Sequence, residues 1–454
     1  MQVYSNVLDM IGRTPMLKLS KFDVGPCELF LKLEYANPAG SIKDRIGVSM
    51  IEHAEKRGAI KPGDMIIEAT AGNTGLGLAL VAAQKGYRLT LVVPDKMSQE
   101  KIFALRAMGA EVVLTRSDVG KGHPEYYQDL GAAIAERTGG YFINQFANPD
   151  NPSAHEETTG PEIWEQLEHH VDAVVVGVGS SGTVAGLAAF FKKIAPQVDL
   201  VLADPEGSVL AEYIATGKLT TSGSWLVEGI GEDFIPSICD FSLTKHAYSI
   251  PDGESFTVAR DLLHKEGILA GSSTGTLLAA ALRYCREQTS PKRVVTFACD
   301  TGNRYLSKLF NDFWMQDQGF ITRPAFGDLR DLIGRPHGEH ATITVGPDDV
   351  IATAHNRLRN AGFSQLPVME QHRLIGIVSE DDIIRYAFGH PERFHAPVRN
   401  AMTTTFLRVD KNTSANNLVA MLEVRSSAAV MDGDVFLGLI TRSDVLNYLR
   451  RQVK

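Results

Sequence analysis

Ala173-Val174-Val175-Val176-Gly177-Val178-Gly179-Ser180-Ser181-Gly182-Thr183 decides the fold of the larger part of this chain. A continuous β-branched run with no polar alternation is a strand buried on both faces. It breaks into glycines and hydroxyl residues, and a helical pattern runs from Thr183 to Ile194. Strand, tight turn and helix make the repeating unit of a parallel sheet covered on both sides. Ligands of such sheets bind beyond the carboxyl ends of the strands, where this turn lies. Gly177, Gly179 and Gly182 allow close backbone approach. The N–H groups and the hydroxyls of Ser180, Ser181 and Thr183 suit a phosphate at a helix N-terminus. The same glycines satisfy a loose dinucleotide GxGxxG, and a purely structural turn is the plainer alternative. No lysine at P-loop spacing follows.

The alternation extends in both directions. Strands are expected at 65–69, 88–93, 111–114, 141–144, 200–203 and 293–298. Helices are expected at 75–85, 98–108, 125–138, 256–266 and 275–287. It stops near Gly319, and Ile321-Thr322-Arg323-Pro324-Ala325-Phe326-Gly327 reads as a linker. Beyond it the chain repeats itself. Gly376-Ile377-Val378-Ser379-Glu380-Asp381-Asp382 matches Gly438-Leu439-Ile440-Thr441-Arg442-Ser443-Asp444 at an offset of 62 residues. Each copy has a helix and an apolar strand before it and a helix after it, so the two should pack as one module. The expected domains are 1–320, a linker at 321–333, and repeats at 334–392 and 393–454.

Three more turns carry chemistry-bearing residues. In Asn37-Pro38-Ala39-Gly40-Ser41-Ile42-Lys43-Asp44-Arg45, Gly40-Ser41 is a helix N-cap signal that puts Lys43 in a first helical turn. The helix dipole disfavours a charged amine there, and a lysine of lowered pKa can form a Schiff base. A surface lysine on an amphipathic helix is the bland alternative. Glu68-Ala69-Thr70-Ala71-Gly72-Asn73-Thr74-Gly75 and Ala270-Gly271-Ser272-Ser273-Thr274-Gly275-Thr276 are small-residue turns into helices. They suit anions, and they also suit ordinary caps.

Together and in this order, these motifs resemble the pyridoxal-phosphate enzymes of the tryptophan synthase β type, and within them the cysteine synthase/cystathionine β-synthase family. The resemblance covers residues 1 to about 320. The repeats resemble a pair of CBS domains, a Bateman module. The resemblance implies a two-lobed α/β fold (fold type II) followed by an α+β module. It implies pyridoxal 5'-phosphate on Lys43, with Asn73 at its 3' oxygen. Gly179, Ser180, Ser181, Gly182 and Thr183 would hold its phosphate, and Ser273 its pyridine nitrogen. Thr70, Ala71, Asn73 and Thr74, with Gln145 and Gly229, would meet the amino-acid substrate. Ala71, Ser181, Ser272 and Phe146 depart from the common pattern. The implied reaction is β-replacement: L-serine or O-acetylserine condenses with homocysteine to give cystathionine, in transsulfuration, and Lys43 moves the Cα proton. Alternatives are a cysteine synthase using sulfide, or an adenosyl-ligand sensor or assembly protein built on an inactive synthase domain.

Glu228 to Pro236 also looks like the cystathionine β-synthase type. If that loop lines the site, the Glu232 carboxylate would hold the homocysteine ammonium; otherwise Glu232 is a solvated loop charge. Some relatives carry an N-terminal haem segment. The region before Lys43 has Cys27 but no histidine, so no haem is expected. Bateman pairs bind adenosyl ligands such as S-adenosylmethionine or adenine nucleotides. The matching positions are Ser379, Asp382, Thr441 and Asp444, and oligomerisation alone is the alternative use. Relatives are homodimers or larger homo-oligomers.

Composition excludes other classes. Net charge is −9, which offers nothing to nucleic acid or an anionic membrane. No apolar run nears the ~18 residues of a membrane span, and no signal peptide is visible. Cys27, Cys239, Cys285 and Cys299 form no metal-binding or disulfide pattern, so neither a metal nor a disulfide framework is expected. A reducing cytoplasm is the expected location.

Overall fold

The computed structural model describes residues 3–70, 72–95, 97 and 99–452. The chain forms two compact units, Met1–Phe310 and Asn311–Lys454. Among the described residues the first unit has two sheets, giving the expected two lobes. The larger runs Met16–Lys18, Glu28–Lys32, Arg293–Phe297, Ala173–Gly177, Asp199–Pro205, Thr244–Ile250 in spatial order. All its pairings are parallel except the first. Val174, Val175 and Val176 are fully buried at its centre, as the unbroken β-branched run requires. The smaller sheet is parallel and runs Glu111–Thr115, Arg88–Pro94, Met65–Ala69, Tyr141–Phe142.

Strands Met16–Lys18, Glu28–Lys32 and Thr244–Ile250, and the helices at 150–166 and Leu210–Thr216, escape the sequence pattern. In Glu28–Lys32 the terminal lysine reads as polar, yet Lys32 is fully buried and paired with Glu162 at 2.8 Å. Thr244–Ile250 is an edge strand of mixed polarity. Residues 150–166 form a helix interrupted by a π turn at His155–Thr159, a feature common near functional sites.

Helix Lys43–Lys56 is locked in place from two sides. Arg45, 3% exposed, joins Glu34 and Glu162. On the other side it crosses helix Asn73–Lys85 glycine to glycine: a Cβ on Gly77 would lie 2.7 Å from the Lys43 carbonyl oxygen. Cys27 and Cys285, distant in sequence, meet in space; the Cys27 Sγ lies 3.6 Å from the Cys285 carbonyl oxygen, and both are free thiols.

In the second unit the duplication extends to detail. Hairpin Gln365–Glu370/Arg373–Ser379 and hairpin Ser427–Asp432/Val435–Thr441 share one register and one bulge, after Val368 and after Val430. The repeats pack together as expected. Ser427 donates to Gln365 Oε1 at 2.8 Å, and these residues occupy equivalent places in the two copies. Leu374 of one repeat shares a buried cluster with Ala429, Met431 and Phe436 of the other. Within the segment read as a linker, Leu329, Leu332 and Ile333 are buried against Leu418, Leu422 and Ile440, and Arg323 donates to the carbonyls of Ile333 and Gly334. Among the described residues no helix is long and apolar enough to cross a membrane.

Candidate active site

Lys43 opens its helix, but Ser41 does not cap it in the expected way. Ile42 holds the cap position, and the Ser41 hydroxyl accepts the Lys43 N–H at 3.2 Å. Asn37 ties the turn together, donating to the carbonyls of Glu34 and Ser41 and accepting from the Gly12 N–H. Burial pulls the half-buried Lys43 ammonium below the ordinary lysine value; Cys299, Asp300, Glu232 and Glu34 push back toward the charged form. Desolvation is therefore the leading cause of the lowering. Among the described residues no hydrogen bond holds the Lys43 amine.

Around Lys43 the motif residues converge. Ser273, 4% exposed, hydrogen-bonds the Cys299 thiol, whose pKa burial and Asp300 raise to about 12. Asn73 donates to Asp300 Oδ2 at 2.8 Å and accepts from Arg304, so its amide orientation is set. Thr74 donates to Gln145 Oε1 at 2.8 Å, and the Thr70 hydroxyl accepts the Gly72 N–H. Ala71 lies outside the described residues.

The 179–183 turn opens helix Gly182–Ile194, with Ser180, Ser181 and Thr183 buried. The first N–H groups of a helix lack partners within it, which makes this turn a place for an anion. Gly179 must be glycine, because a Cβ would stand 2.8 Å from the Gly229 carbonyl oxygen. The Glu228–Pro236 loop does line the site: Gly231 N–H bonds the Val178 carbonyl, and Glu232 Oε1 lies 3.9 Å from the Cβ position of Gly179.

Ser181 sits at φ 67°, left-handed backbone where a glycine would be unstrained. Ser181→Gly should therefore raise stability by ~0.5–1 kcal/mol in urea unfolding, since the left-handed conformation costs other residues roughly 1 kcal/mol. A loss of stability would contradict this account.

Several site residues carry no sequence signal. Asn151 and His155 come from the interrupted helix. His155 Nε2 lies 3.3 Å from the Thr183 hydroxyl, and burial lowers its pKa to about 3, so the ring is neutral. Asp300, Arg304 and Tyr305 follow the last strand of the large sheet, and Tyr305 donates to Asp300 at 2.7 Å. Only the fold brings them to Asn73. Lys101 and Lys308 both donate to Glu228 at the rim.

In the second unit Ser379 and Asp382 form a reciprocal capping box, with Ser379 donating to Asp382 Oδ2 at 2.6 Å. Thr441 and Asp444 repeat it at 2.6 Å. A cleft of about 520 Å³ lies at the other ends of these strands, lined by Arg373, Arg408, Asp410, Met431 and Asp434 among others.

A partly desolvated amine that is unbonded among the described residues, together with a glycine turn at a helix N-terminus, suits one class: lysine enzymes that tether an anionic carbonyl cofactor. Residues 7–300 match the family described as pyridoxal-phosphate dependent enzymes, and residues 339–389 and 398–451 match the CBS domain. Cystathionine beta-synthase of Dictyostelium discoideum is 35% identical over 99% of this chain and 93% of its own length. Cysteine synthase B of Salmonella typhimurium is 43% identical over 65% of this chain and 93% of its own length. The crystal structure of the O-acetylserine dependent cystathionine beta-synthase from Helicobacter pylori superposes with a TM-score of 0.63. It is 37% identical, covering 68% of this chain and 99% of that one. The chain belongs to the pyridoxal-phosphate dependent enzyme family, in its cystathionine β-synthase branch with a CBS pair.

The residues present fit that cofactor. Lys43 offers the amine, Asn73 a fixed amide, and the 179–183 turn a helix start packed so closely that a Cβ on Gly179 would stand 2.8 Å from the Gly229 carbonyl oxygen.

Proposed function

We propose that the chain catalyses β-replacement, condensing L-serine or O-acetylserine with L-homocysteine to give L-cystathionine. The observation that carries this reading is the partly desolvated Lys43 amine near Asp300 and Glu232, with Glu232 Oε1 also 3.9 Å from the Cβ position of Gly179 in the 179–183 turn. Pyridoxal phosphate, when bound, supplies the electron sink at Cα. Lys43 then holds and moves the Cα proton, and its lowered pKa suits a base. Ser273 offers the ring nitrogen a neutral hydroxyl, which does not hold a proton there as a carboxylate would. This favours loss of a Cβ leaving group over transamination. Thr70, Thr74 and Gln145 bind the substrate carboxylate.

Glu232 selects the thiol. Its carboxylate is close enough to Lys43, Tyr126 and Tyr127 to push the pKa of each upward. It binds the ammonium of homocysteine. Glu232→Ala should raise the homocysteine KM about tenfold, the worth of one charge-assisted hydrogen bond, with little effect on use of sulfide. Equal changes for both thiols would remove this role.

The similarity of the catalytic unit to cysteine synthase B supports a second reading, O-acetylserine with sulfide. Product analysis with each donor against each thiol decides between them. Absorbance in the visible range that borohydride abolishes, and that Lys43→Ala lacks, tests the enzyme reading itself.

The proposal extends to a homodimer acting in transsulfuration, with an adenosyl ligand on the CBS pair at Ser379, Asp382, Thr441 and Asp444. A ribose must displace the hydroxyls now bonded to the two aspartates. Calorimetry with S-adenosylmethionine and with ATP tests it, and absence of heat with both refutes it.

A further inference from the structure

One buried amide joins the two halves of the site. Asn151 is fully buried at the start of helix Asp150–Ala154. Its Nδ2 donates to the Gln145 carbonyl oxygen at 2.8 Å and to the Ser180 hydroxyl at 3.0 Å. Gln145 in turn accepts from Thr74 through its side chain, in the loop read as the substrate-carboxylate site. Ser180 belongs to the turn read as the phosphate site. The Asn151 amide therefore spends its two protons on two different subsites.

The rest of the side chain adds no anchor of its own. Asn151 Oδ1 is buried without a hydrogen-bond partner. It faces Gly182, where a Cβ would stand 1.9 Å away. An unsatisfied buried carbonyl is costly. What the residue provides is the link. Hydrogen bonds of this length weaken steeply with displacement, so movement of either acceptor reaches the other through one rigid amide.

We propose that Asn151 is a positioning residue that couples the substrate-carboxylate loop to the phosphate loop, so that each subsite sets the geometry of the other. The proposal rests on the assignment of those two subsites above. Coupling between two binding sites is reciprocal, which gives it a signature that simple structural support lacks.

The test reads effects across the site. Ser180→Ala, on the phosphate side, should raise the KM for the amino-acid donor (L-serine or O-acetylserine, whichever is turned over) about fivefold. Gln145→Ala, on the substrate side, should weaken binding of pyridoxal phosphate to the apoprotein about fivefold, measured by absorbance titration. In an Asn151→Ala background both cross-effects should fall below about twofold, as a double-mutant cycle requires when the link is already cut. Cross-effects that persist undiminished in that background overturn the proposal. If Asn151→Ala does not fold by circular dichroism, the two single variants decide, and absence of either cross-effect overturns it. Failure of the subsite assignment looks different: the native protein would then lack the borohydride-sensitive absorbance at Lys43 altogether.

Discussion

Arg45→Ala should lower the unfolding free energy by about 3–5 kcal/mol, the usual consequence of removing one partner from a buried ion pair. The guanidinium makes two bonds to Glu34, at 2.8 and 2.9 Å, and two to Glu162, at 2.7 and 2.8 Å. Glu34 is fully buried, and these bonds hold its carboxyl below the ordinary value against the opposing pull of desolvation. Without Arg45 two carboxylates remain, with Lys32 as the nearby cation. Arg45→Lys should not rescue, because an ammonium cannot serve two carboxylates as the planar fork does. The damage reaches function, since Asn37 Nδ2 bonds the same Glu34 carboxylate at 3.1 Å and also holds the turn before Lys43. Occupancy by pyridoxal phosphate should therefore fall along with stability. A urea-unfolding loss below 1 kcal/mol would show that the network relaxes without Arg45.

Glu68 should make the protein lose stability as pH rises. It is buried at the end of strand Met65–Ala69, and desolvation raises its pKa to about 8; backbone N–H groups, including those of Gln145 and Ala69, oppose the rise. The folded state keeps this proton to about pH 8, whereas the unfolded chain releases it near 4.5. The contribution is thus fully present below pH 4.5 and is lost as pH climbs through 8. At ~1.4 kcal/mol per unit the total is of the order of 4–5 kcal/mol. Asp44, raised to about 7 by burial, acts in the same direction. Glu162, lowered to about 2 by Arg45 and Lys32, acts only at the acid end. Unfolding measured from pH 5 to 9 should give a clearly shallower decline for Glu68→Gln than for the native protein. Parallel curves would exclude Glu68 as the titrating group.

Much of the site is legible in residue order because it is made of turns. A glycine string after a β-branched strand marks a turn where backbone is closely approached, here by Gly229 and Asn151. The duplicated unit is legible for another reason: two copies in one chain report on each other, down to the bulge after Val368 and after Val430. Asn151, His155 and Asp300 are not legible. They are single polar residues without periodicity, and they matter only because separate segments deliver them to Ser180, Thr183 and Asn73. Ser379 and Asp382 show the reverse. The resemblance to CBS pairs implies a ribose contact for them, and in the fold they close a capping box, a use that the same two residues satisfy locally.

Residue order by itself therefore determined the parallel α/β class and the duplicated module, and pointed to Lys43 and the anion turn only through the family resemblance of the motifs taken together. The first two conclusions follow from short-range rules, namely burial of β-branched runs, glycine in turns and helix starts. The tertiary structure alone decided that burial lowers the Lys43 pKa, that Arg45 anchors its helix, and that Asn151 bonds both Gln145 and Ser180. Desolvation and ion pairing depend on which distant segments pack together, and that information is absent from the order of residues within any one of them.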